Sequence, residues 1–118
     1  MNAFLVLLAS VFVSVGGAKV RLKEESPGLL AKAKVTADGA AVAAQARVPK
    51  GRLTGAEIEE ENGKLIYSFD FKTPGKRGTD EVTVDAILGG VLTVEHESPK
   101  DEAKEKSDEA KKHDQPAK

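Results

Sequence analysis

An asparagine-glycine pair at residues 62 and 63 interrupts two alternating runs in the stretch IEEENGKLIYSFDF, residues 58–71. A two-residue hairpin loop of type I′ needs positive φ at both central positions, which Asn and Gly adopt at least cost. So short a loop also sets the register. It places Glu61 opposite Lys64, Glu60 opposite Leu65, Glu59 opposite Ile66, Ile58 opposite Tyr67 and Ala56 opposite Phe69. Alternation with period two then sorts the side chains. Ala56, Ile58, Leu65, Tyr67, Phe69 and Phe71 share a core face, whereas Glu57, Glu59, Glu61, Lys64, Ser68 and Asp70 share a solvated one. Glu60 falls at the rim of the core side.

The pleat therefore splits the acid run. Same-face neighbours on a strand sit about 6.6–7 Å apart, too far to share one ion without bent side chains or another ligand. Exposed carboxylates with no apolar pocket between them also lack the unequal environments that acid–base chemistry requires. Glu57, Glu59 and Asp70 are expected to form a wet face that resists aggregation and is available as an interaction surface. Lys76 and Arg77, in the turn-rich loop TPGKRGTD, extend that candidate surface.

Around the hairpin, 118 residues leave room for one small domain. The 19 acids and 18 bases nearly cancel, which excludes the electrostatic footprint of a nucleic-acid binder. Without cysteine there are no disulfides, zinc thiolates or thiol nucleophiles. Residues 1–18, MNAFLVLLASVFVSVGGA, carry no charged side chain. Phe4 to Val15 has the length of a signal-peptide apolar core, and Gly16, Gly17 and Ala18 suit a peptidase. The expectation is export with cleavage near Ala18, to the periplasm or the medium. The alternative is an uncleaved anchor, for which twelve apolar residues are short of the ~20 that span a bilayer.

A charged connector (19–26), a domain (27–97) and a charged tail (98–118) follow. The tail repeats DEAK at 101 and 108 but offers too little apolar surface to offset the entropy of ordering. Ser26-Pro27 marks a short helical turn, and Thr36 caps a main helix running from Ala37 to about Arg47 and stopped by Pro49. Ala40, Ala44 and Val48 form its flat apolar stripe. Val82 and Val84, then Leu92 and Val94, point inward from two further strands, with Thr83 and Asp85 outward. The expected fold class is α+β: an N-terminal alanine-rich helix packed on a small antiparallel β-meander.

No catalytic constellation stands out. His96 lies between Glu95 and Glu97, which a strand turns to the opposite face; His113 lies in the tail. The glycine-rich phosphate motifs are missing, and GKRG at 75–78 is a lone basic loop. The expectation is a non-enzyme without cofactor or metal.

The order of these pieces resembles the PepSY domain, a small module of metallopeptidase propeptides and of free-standing exported bacterial proteins. The resemblance runs through the helix ending at Pro49 and Gly51, Ala56 to Glu59 leading to Asn62 and Gly63, and Tyr67 to Phe71. It ends with Val84-Asp85-Ala86 and then Gly89, Val91 and Leu92. Leu88 and Gly90 depart from the family pattern. The resemblance implies structural roles for Pro49, Gly51, Asn62, Gly63, Tyr67, Asp85 and Gly89. It also implies a non-catalytic module that binds or modulates an exported peptidase or another envelope protein, and the chain is expected to be a monomer. The competing reading is a small-ligand or cation-binding envelope protein using the outer acids, with the membrane touched only by a retained N-terminal segment.

Overall fold

Asn62 and Gly63 both take positive φ, 52° and 76°, in the computed structural model, which describes residues 10–101 and residue 104. The strands they join are Arg52–Glu61 and Lys64–Lys72, paired from Glu61 opposite Lys64 to Arg52 opposite Lys72 in the expected register. One bulge, between Leu53 and Gly55, interrupts the ladder. Tyr67, Phe69, Phe71, Leu53 and Ile58 are fully buried, as the alternation requires. The Tyr67 hydroxyl, which needs a partner once buried, donates to the Val35 carbonyl at 2.7 Å.

The architecture around this hairpin differs from the expected helix on a small meander. Among the described residues the elements follow in chain order: β1 (Phe12–Val15), β2 (Ala18–Glu24), α1 (Leu29–Lys32), α2 (Ala37–Gln45), β3 (Arg52–Glu61), β4 (Lys64–Lys72), β5 (Thr79–Asp85) and β6 (Val91–Glu97). They form one six-stranded mixed sheet, ordered β1 to β6, with short helices. Two strands precede the helices, and β2 pairs with β3 in parallel through Leu22–Ala56, Lys23–Glu57 and Glu24–Ile58. The physical cause is the alternation in AKVRLKE: Ala18, Val20 and Leu22 turn to the core while Lys19, Arg21 and Lys23 turn to water. Residues 19–26, expected to be a connector, thus hold most of an interior strand.

Val13, in the apolar run expected to be a signal peptide, is completely buried in β1. A cut near Ala18 would remove that strand. The earlier part of the run, residues 1–9, lies outside the described residues, as do His113 and most of the tail. Ser98 and Asp101 exchange side-chain-to-backbone bonds, a capping arrangement at the tail's start.

Helix α2 begins as expected, with the Thr36 Oγ1 accepting from the Gly39 N–H at 3.1 Å. It stops at Gln45, before Pro49, because the Gln45 side chain takes over the chain reversal. Its Nε2 donates to the carbonyls of Val48 and Gly51, each at 2.8 Å. Ala37, Ala40, Ala41 and Ala44 are buried, a small-residue face that lets α2 pack against β1, β4 and β5 together. Gly51 admits the same close approach. A methyl there would sit 2.9 Å from the Phe71 Cβ and 2.7 Å from the Val48 Cγ1.

At the other end of β5, Asp85 Oδ1 accepts from the N–H groups of Ile87 and Leu88 at 2.8 and 2.9 Å. Gly89, at φ 84°, closes the turn by donating to the Asp85 carbonyl. The β5–β6 ladder then skips Leu92: Val84 faces Val91 and Thr83 faces Thr93. Leu92, expected inward, is the bulged residue and is 41% exposed.

Candidate functional site

Helices cover one face of the sheet, and charge covers the other. On the uncovered side the ladders set Asp70 of β4 opposite Glu81 of β5, and Glu81 opposite Glu95 of β6. Like charges directly opposed across a sheet destabilise it, so a row of three carboxylates calls for a reason beyond folding. The next row, Glu57, Ser68, Thr83 and Thr93, is mostly neutral, and Thr83 and Thr93 share a 2.6 Å hydroxyl bond. On the β2 side of the sheet the charge reverses: Lys23 stands opposite Glu57, and Arg21 lines the same groove.

The hairpin acids are not as separate as strand spacing suggests. Glu57 and Glu59 lie two residues apart on one face, yet their side chains bend toward each other, with carboxylate oxygens within 4.8 Å. Glu25 joins them from the end of β2, and ligand atoms of all three lie within 4.8 Å of one another. Glu25 reaches the cluster because its N–H continues the parallel pairing, donating to the Ile58 carbonyl at 2.9 Å. Its carboxylate also accepts from the Glu60 N–H at 3.3 Å. The third ligand that strand spacing demanded is therefore present, supplied by a pairing with no local mark in the sequence.

Burial is the main cause lifting the Glu59 carboxyl from 4.5 to about 7, with the charges of Glu57 and then Glu25 behind it. Glu81 is lifted to about 7 as well, by burial first and then by Asp70, Glu97, Glu59 and Glu95. Chemically, this face holds protons near neutrality and offers hard oxygen donors of the kind Ca²⁺ prefers.

The remaining expected site residues are not gathered with these acids. Asp70 is one row removed, opposite Glu81. Lys76 ion-pairs with Asp80 at 3.6 Å, and Asp80 also meets the His96 Nδ1 at 2.8 Å. Arg77 is exposed in the same loop. Glu60 leaves the acid run for the helical side, pairing with Lys32 at 3.4 Å. Sequence reasoning missed Glu25, Glu81 and Glu95. The latter two were legible as outward residues of alternating strands; only the sheet order makes them neighbours of Asp70.

Compared with family models, with curated proteins and with solved structures, the chain matches none.

Proposed function

We propose that this protein is a non-catalytic binding module of the cell envelope, acting through the uncovered face and margins of its sheet on a peptidase or another exported protein. The observation that carries this reading is the acidic row Asp70, Glu81 and Glu95, built at a cost in stability on the side that none of the described helices covers. The peptidase as partner rests on the sequence resemblance alone. Export rests on the composition of residues 1–18. The mass of the envelope-located protein tests it, because a chain cut near Ala18 lacks Val13, whereas one that starts before Val11 keeps β1.

For the partner, the test is the rate of a thermolysin-like metallopeptidase titrated with the full chain. A saturable change in rate, lost when Glu81 and Glu95 are both changed to Gln, is the expected result. A flat titration together with no complex on gel filtration removes the peptidase.

The trio Glu25, Glu57 and Glu59 favours a second reading, a divalent-cation site on the same face. Calorimetry with Ca²⁺ separates the two. Sub-millimolar binding that disappears in Glu25→Gln supports the cation reading, and heats of dilution alone discard it.

A further inference from the structure

The two margins of the sheet are treated differently. Along β1, the Ser14 N–H donates to the Asp38 carboxylate at 3.0 Å, and α2 packs against that strand. This margin is closed by a helix. Along β6, the sheet ends among the described residues: β6 has one strand neighbour there, β5. Residues 92–96 are all exposed. Apolar side chains crowd there, with Leu92 and Val94 each near 40% exposed, and Ile87 and Leu88 in the adjoining turn more so. An open, apolar edge strand is a template for pairing with another chain.

Charge indicates what would pair. The sheet already contains one example of a strand laid beside an acidic one. That strand is β2, whose Lys19, Arg21 and Lys23 alternate with apolar residues and which places Lys23 opposite Glu57 of β3. At the other margin the acidic row runs outward through Asp70 and Glu81 to Glu95, and among the described residues no basic strand follows it.

We infer that β6 accepts an extended peptide segment by strand addition, and that the segment alternates cationic and apolar residues as β2 does. Main-chain hydrogen bonds to β6 supply affinity. Lysine or arginine side chains on the outer face meet Glu95, and alternate apolar side chains cover Val94 on the other. The inference rests on reading the chain as a binding module and names the element and the partner chemistry.

The experiment is a titration of the isotope-labelled full chain, followed by amide resonances, with a synthetic peptide alternating lysine and valine. The glutamate–valine counterpart serves as control. Expected are shifts and slowed hydrogen exchange confined to residues 87–97, binding that weakens as salt rises, and no response to the acidic control. Glu95→Lys should weaken binding about tenfold, as for a close charge pair reversed from attraction to repulsion. Should Glu95→Lys fail to fold, Glu95→Gln gives the same direction with a smaller loss.

Shifts centred on another element, equal binding of both peptides, or no shift at all overturn the inference. So does sedimentation showing that β6 is occupied by a second copy of this chain. The two readings fail separately. Peptidase modulation that survives with no peptide binding at β6 leaves the module standing without this edge, and peptide binding without any effect on a peptidase does the reverse.

Discussion

Gly51 shows what a single missing methyl does in this molecule. The Gln45 amide pins the loop after α2 to the Gly51 carbonyl, drawing the backbone onto Val48 and Phe71. Gly51→Ala should therefore cost about 1–3 kcal/mol, the usual range for an overpacked site, read from the midpoint of urea unfolding. Asp85 acts on the adjacent turn by charge. The backbone N–H groups of Leu88 and Ile87 hold its carboxyl below the ordinary 3.8. A depressed pKa contributes stability that is present above the ordinary value and lost as pH falls through the folded one. Asp85→Ala should then lower the unfolding midpoint most at neutral pH, with the gap to the parent closing below pH 3.8. A gap that stays constant would mean the carboxylate contributes nothing by its charge. The Asp85 role was visible beforehand, since an aspartate two residues before a turn amide has a local meaning, whereas the close approach at Gly51 was not, because Val48 and Phe71 meet it only in the fold.

Elements were legible only where their determinants are local. The β3–β4 hairpin follows from two residues, and α2 from a threonine cap and a run of alanines. Strand β1 was hidden because four residues of FVSV inside a longer apolar run look the same whether they line a core or form a signal sequence. Strand β2 was hidden by its charges, although every second residue in it is apolar. Its parallel partner, β3, lies across both helices, so no neighbouring residue reports the pairing and Glu25 went unrecognised as a companion of Glu57 and Glu59. The status of β1 is measurable. Val13 is fully buried against β2 and α2, so Val13→Ala in the full chain should cost about 2 kcal/mol. An unchanged melting temperature would show that the sheet begins at β2.

For the molecule as a whole, the uncovered face sets the response to pH. Glu59 and Glu81 have folded pKa values raised from 4.5 to about 7. A raised carboxyl binds its proton more tightly in the folded state. Its contribution is complete below 4.5 and is lost as pH rises through about 7. Asp85 works in the opposite direction at the acid end, so the protein should be most stable from pH 3.8 to 4.5 and lose stability progressively as pH rises toward about 7. Melting temperatures across that range test this. The parent should lose stability between mildly acidic and mildly alkaline buffer, while the Glu59→Gln, Glu81→Gln double variant should trace a flatter line. A parent already flat would show that water screens these charges fully.

The closure of one margin by Asp38 also governs assembly. A body joined along a single border ends the row it joins and caps the sheet it meets. Losing residues 10–18 would strip the helix-guarded border and bare a second seam on β2, turning a stopper into a link.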